Sequence, residues 1–195
     1  MKRDVTLIAF LLSFASPFAA QAGTTMETKG KVFAPPAFYS FCSRQPGLCS
    51  TAGGKKVVAL QAGLSSQLNQ VNRSVNSRIT ELSDRATVGK DDDWRVPTVS
   101  GDCEDIAILK KQELIRRGWP ASALLLTVAS YHGQGHTVLT VRTSQGDLVL
   151  DNLTNSVRDW SSTPYSYFAR QAQGNGRRWE RIGAAKPVQT TATGS

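Results

Sequence analysis

The stretch Ser100-Gly101-Asp102-Cys103-Glu104-Asp105-Ile106-Ala107-Ile108-Leu109-Lys110-Lys111 decides how this sequence is read. From about Asp102 to Arg117 the apolar residues Ile106, Leu109 and Leu114 recur at helical spacing, and Gly118 and Pro120 then stop the helix. Cys103 therefore stands at a helix N-terminus, where the dipole and free N–H groups favour a thiolate. Two downstream residues complete a pattern with it. His136 opens a predicted strand that alternates through Val138, Leu139, Thr140 and Val141, after the glycine-rich Gly133-Gln134-Gly135. Past a Gln145-Gly146-Asp147 turn, a second strand over Leu148–Leu150 ends at Asp151. In such a hairpin His136 and Asp151 share one open end. The imidazole takes the thiol proton and the carboxylate orients the imidazole. Helix, strand and strand thus carry Cys103, His136 and Asp151 in that order. His132, the other histidine, precedes the strand and is the weaker candidate base.

Outward from this centre, Val57 to Ile79 carries Leu60, Leu64, Leu68, Val71, Val75 and Ile79 at steps of three and four, predicting one long amphipathic helix. Residues 84 to 101, with Asp91-Asp92-Asp93, Trp94 and Pro97, read as a loop whose acidic run is a solvated surface. Leu124 to Ser130 reads as a short strand, and the aromatics between 160 and 181 as a final packing layer. Residues 23 to 35 read as a loose leader, and 184 to 195 as a frayed tail.

The first residues bear on compartment. Lys2-Arg3, the apolar run Val5–Phe14, Pro17 and Ala20-Gln21-Ala22 form the pattern of a secretory signal peptide over 1–22. That apolar run is far short of the ~20 residues a membrane span needs. The expectation is a chain exported to the periplasm or beyond, without membrane insertion of the mature part. Three cysteines fit an oxidising compartment: Cys42 and Cys49 flank a Pro46-Gly47 turn and are predicted to pair, leaving Cys103 free. The 195 residues carry 23 Lys+Arg against 15 Asp+Glu, a formal charge of +8. The basic residues are scattered, which argues against a nucleic-acid-binding function.

Trp94-Arg-Val-Pro, Gly101-Asp102-Cys103-Glu104-Asp105 with Leu109-Lys110, Gly135-His136-Thr137-Val138-Leu139 and Val149-Leu150-Asp151-Asn152-Leu153 together resemble the bacterial transglutaminase-like cysteine proteinases, LapG-type periplasmic proteases among them. The resemblance spans about residues 32 to 180 and implies an α+β, papain-like and transglutaminase-like domain over 23–183. In it the nucleophile-bearing helix packs on an antiparallel sheet, with Cys103, His136 and Asp151 as triad. It implies proteolysis of a protein substrate such as a large surface adhesin, and an inhibitory inner-membrane receptor. An acyl transferase or amidase acting on protein or cell-wall peptides is the alternative, since the same triad forms the same thioester. A non-catalytic calcium-dependent adaptor is a third reading.

The acids beside Cys103 require a countercharge, because like charges oppose thiol ionisation. Calcium takes such hard oxygen ligands. The resemblance implies calcium at Asp102 and Glu104, with Asp105 and Asn152 as further expected ligands.

Overall fold

The computed structural model describes residues 23–188. The predicted signal peptide and the end of the predicted tail lie outside them. Strand β1 (Thr24–Val32) is followed by helices α1 (Pro36–Arg44), α2 (Pro46–Cys49) and α3 (Ala62–Arg78). Next come β2 (Thr80–Glu81), α4 (Asp84–Val88), β3 (Ser100–Gly101) and α5 (Cys103–Arg116). The chain then runs through β4 (Leu124–Tyr131), β5 (Gln134–Thr143), β6 (Gly146–Leu150), β7 (Arg158–Asp159), β8 (Ser166–Ala172) and β9 (Asn175–Pro187). Seven strands form one antiparallel sheet in the order β1-β9-β8-β4-β5-β6-β7. The fold is thus α+β, as expected, with the helices between β1 and the remaining strands of the sheet and α5 packed on β4 and β5.

Helix α5 begins and ends within a residue of its predicted span because its signals are local. Asp102 is extended at the N-cap, and Gly118 takes the left-handed φ of 87° that terminates it. The long helix starts later than expected. Val58 is drawn into an extended bridge beside Thr143, its N–H donating to Arg142 O and its carbonyl accepting from Ser144 N. Helix α3 therefore opens only at Ala62.

Tertiary pairing also overrides three loop readings. The supposed leader forms β1 and the supposed tail extends β9 to Pro187, because each is the other's antiparallel partner: Thr24 faces Pro187 and Val32 faces Trp179. The supposed loop over 84–101 holds α4 and β3, anchored by buried Asp84.

Two cores lie on opposite faces of the sheet. One joins α1, α3 and α5 residues such as Phe38, Leu68, Val71, Ile106 and Leu114 with Leu126, Leu139, Val141 and Leu150. The other gathers Met26, Val138, Val149, Trp160 and Ile182. Strand β5 is therefore buried on both faces between His136 and Val141, where the alternation suggested one wet face. On the second side Asp147 is held by Arg142 Nε at 3.0 Å and Met26 N–H at 2.7 Å, so its buried charge is paired.

Cys42 and Cys49 form the expected disulfide across the α1–α2 corner, and Cys103 is free. Phe38, Trp94 and Trp179 stack edge to face with centroids 5.1–6.2 Å apart, joining α1, the segment before β3, and β9. No helix among the described residues is long and apolar enough to cross a membrane.

Candidate active site

Three elements converge on one cleft of about 290 Å³ lined by Pro35, Asp92, Trp94, Cys103, Glu104 and His136. Cys103 occupies the first position of α5. The backbone there is confined: a Cβ on Gly101 would lie 2.8 Å from Asp105 Cβ and 3.0 Å from Pro97 Cβ. Only glycine lets the chain fold this closely onto the helix start.

The Cys103 Sγ accepts the Thr137 backbone N–H at 3.3 Å and lies 3.1 Å from Glu104 Oε2, to which a thiol proton is donated. Burial and the neighbouring Glu104 carboxylate push the thiol well above its usual range. The Thr137 contact brings β5 to the sulfur immediately beside His136.

His136 lies two residues inside β5 rather than at its start. The preceding turn is tighter than expected, with His132 (φ 49°) and Gly133 (φ 78°) both left-handed between β4 and β5. This turn leaves His132 outside the cleft lining and His136 on it. His136 Nε2 is 2.9 Å from Asp151 Oδ1. Its Nδ1 makes no hydrogen bond among the described residues.

Asp151 follows β6, where Asn72 Oδ1 accepts its N–H at 3.1 Å and Asn76 Nδ2 donates to its carbonyl at 3.0 Å. Burial pushes its carboxyl up, but hydrogen bonds from His136, Tyr165 and the Leu153 N–H hold it below the ordinary carboxylate range. Tyr165, which sequence reasoning missed, donates to Asp151 Oδ2 and places its ring 5.0 Å from that of His136. The only signal for it was an aromatic cluster late in the chain.

The acids separate by partner. Asp84, Asp102 and Glu104 bring carboxylate oxygens within 4.8 Å of one another. Burial and the Asp84 charge raise Asp102. Burial and Asp102 push Glu104 up to about 8. Asp102 Oδ1 is buried with no hydrogen-bond partner, and Asp102 makes no side-chain cap bond to its own helix.

Asp105 turns instead to Arg95, accepting its backbone N–H at 2.8 Å and facing its Nε at 3.3 Å. Asp105 thus stands apart from the cluster, although its Oδ2 keeps no hydrogen-bond partner, and Asp84, which lay in the supposed loop, joins Asp102 and Glu104 in it. Asn152 follows Asp151; its amide makes no hydrogen bond to those carboxylates.

The Asp91-Asp92-Asp93 run is not uniformly solvated. Asp91 pairs outward with Arg85, and Asp93 pairs with Arg44 at 3.3 Å and Lys90 at 3.1 Å. Asp91 and Asp92 both line the cleft, and burial raises the Asp92 carboxyl beside Trp94 and Glu104.

A family model described as bacterial transglutaminase-like cysteine proteinase matches residues 28–187. Among solved structures the chain is similar to calcium-bound Legionella pneumophila LapG, at 25% identity and a TM-score of 0.49, over 71% of this chain and 77% of that one. It is also similar to Legionella pneumophila LapG in a second structure and in an EGTA-treated one. Both are at 26% identity and a TM-score of 0.48 over 71% of this chain, covering 77% and 75% of theirs. No curated protein matches the chain.

Proposed function

The chain belongs to the bacterial transglutaminase-like cysteine proteinase family and is a cysteine protease, and on that premise we propose that Cys103, His136 and Asp151 are its catalytic triad. The observation that carries this is one contact set: His136 Nε2 on Asp151, and the Thr137 N–H on the Cys103 sulfur. With Nε2 engaged, Nδ1 is the nitrogen left to take the thiol proton. The thiolate adds to the scissile carbonyl, and the oxyanion gains the Cys103 backbone N–H at the start of α5. His136 returns the proton to the departing amine, leaving a thioester. It then takes a proton from water, whose oxygen displaces the thiolate and frees the acid. Asp151 holds the imidazole in one tautomer throughout and favours its cationic form.

The residues present also fit a calcium ion. Three crowded carboxylates, two of them raised, and a partnerless buried Asp102 oxygen form a hard-oxygen donor set. Asp84, Asp102 and Glu104 would hold the ion. When bound it supplies positive charge beside the nucleophile, favouring thiolate. Glu104 would then no longer compete with His136 for the thiol proton.

Export to the periplasm or cell exterior is supported by the leader pattern of residues 1–22 and by the Cys42–Cys49 bridge. A surface adhesin as substrate and an inner-membrane inhibitory receptor as partner are supported by the motif resemblance to LapG-type proteases.

The test compares exported and surface proteins from cells carrying wild-type or Cys103→Ala protein, mapping new N-termini. Termini that depend on Cys103 are expected. Incorporation of a labelled amine in excess of cleavage would instead establish an acyl transferase. With a cleaved protein in hand, EGTA is expected to lower both rate and melting temperature. Calcium should restore both and magnesium should restore them poorly, since it demands a tighter octahedral shell. Undiminished rate and stability after verified calcium removal would return the three acids to a purely structural role.

A further inference from the structure

The buried aromatic stack beneath the cleft also underlies a second surface feature. Trp94 lines the cysteine cleft, and Trp179, 6.2 Å away, lines a separate surface concavity of about 610 Å³. Lys31, Arg177, Arg178 and Arg181 surround that concavity, with no carboxylate among the residues that line it. Two of these cations are already engaged: Arg177 reaches the Cys42 carbonyl at 3.4 Å and Arg178 reaches Glu180 at 3.5 Å. Lys31 and Arg181 make no ion pair among the described residues.

Phe33 stands at the rim 92% exposed, and Tyr39 beside it is 45% exposed. A phenylalanine bared to water among cations costs solvation with no internal return. Exposed aromatics next to unpaired positive charge are the composition of a recognition surface. The concavity adjoins the cleft through the chain itself. Phe33 lines one and Pro35 the other, two residues and about 7 Å of extended chain apart.

We propose that this basic, aromatic concavity is an exosite that holds an acidic segment of the protein substrate, one that also carries an apolar side chain, while the scissile bond lies at Cys103. Its charge selects carboxylates, and Phe33 and Tyr39 receive the apolar side chain. The stack of Phe38, Trp94 and Trp179 fixes its distance from the nucleophile. The inference rests on the proteolytic reading above, but its test does not require turnover.

The experiment uses the chain with Cys103→Ala and a fluorescein-labelled twelve-residue peptide containing six glutamates and two phenylalanines, read by fluorescence anisotropy at physiological salt. Saturable binding is expected. Arg181→Glu with Lys31→Gln should weaken it at least tenfold, and Phe33→Ser about fivefold. Lys55→Glu with Lys56→Glu, two exposed cations outside the concavity, should change it less than twofold. Matched melting temperatures would show that all variants fold. Equal weakening by the Lys55 and Lys56 changes would overturn the exosite, because attraction would then be a matter of net charge alone. Absence of saturable binding, or tighter binding of a single-stranded oligonucleotide of equal charge, would also overturn it. Peptide binding without any Cys103-dependent cleavage would sink the protease reading and leave the exosite standing. Cleavage without peptide binding would do the reverse.

Discussion

At the scale of single residues, the pairing of His136 with Asp151 depends on Tyr165. Its hydroxyl donates to the carboxylate oxygen that His136 does not use, and helps hold Asp151 ionised despite burial. In the proposed triad Tyr165 is a positioning residue, acting on the thiol only through the acid and the imidazole. Tyr165→Phe is expected to lower kcat roughly tenfold with little change in KM, since the lost bond orients the base rather than the substrate. The acid limb of the pH–rate profile should also move upward. Without the Tyr165 bond Asp151 protonates at a higher pH, so activity is lost sooner as pH falls. A lowered kcat with an unmoved acid limb would reduce Tyr165 to packing. This residue was invisible in the sequence because nothing local ties it to Asp151; only the return of the chain through β8 brings it there. Asp84 was missed for the same reason. Cys103 and Asp151 were legible because each stands at an element boundary that leaves local marks, and His136, two residues inside β5, because the glycines around the preceding turn mark that strand's beginning.

At the scale of elements, legibility followed the range of the determining contacts. Helix α5 and the β5–β6 hairpin are specified by their own residues: apolar periodicity, Gly118 at the stop, and a short connection between facing strands. Strands β1 and β9 carry weak patterns and exist because they pair across nearly the whole described chain. The Val57–Ile79 periodicity misled because Leu60 is buried ahead of the helix, from where the same side chain reaches the same core. The Cys42–Cys49 bridge is an element-scale feature, since it pins the α1–α2 corner against Gln171, whose amide donates to the Cys49 carbonyl at 2.9 Å. Alkylation of the denatured, unreduced protein is expected to label one thiol per chain. Replacing both bridge cysteines by serine should cost about 2 kcal/mol, the order expected for closing so short a loop. Three labelled thiols in protein recovered from outside the cytoplasm would exclude the bridge in the native molecule.

At the scale of the whole molecule, α5 carries two lysines that burial sets apart. Lys110 and Lys111 are fully enclosed, and desolvation pushes both ammonium groups down to about 7. Lys111 donates to Gln171 Oε1 at 3.0 Å, whereas Lys110 Nζ has no hydrogen-bond partner. Between about pH 7 and the ordinary lysine value near 10.4, the unfolded chain binds more protons at these two lysines than the folded one. The two lysines therefore make stability rise with pH across that window, while Glu104, raised to about 8, opposes them below pH 8 and the raised Cys103 thiol opposes them above about pH 9. Raised Tyr165 and Tyr167 act in the opposite sense above about pH 10. Denaturant unfolding at pH 8 and pH 9, where the two lysines outweigh the remaining titrations, is expected to show the more alkaline protein as the more stable. Lys110→Met should raise stability at pH 6 by about 2 kcal/mol and flatten the slope. A wild-type slope of the opposite sign would show that both lysines stay charged inside the fold.

The pairing of β1 with β9 also has a consequence for the order in which the enzyme comes into being. The strand that carries Trp179 is the last described element to leave the ribosome, and Trp179 completes the stack on which Trp94 and the cleft wall rest. A nascent chain can wind α5 and expose its thiol well before that strand exists, because helices need only local contacts. It has no finished cleft to go with the thiol. The hydrolytic machinery is thus assembled last, by the same strand that fastens the first, and an incomplete polypeptide poses no threat to its neighbours.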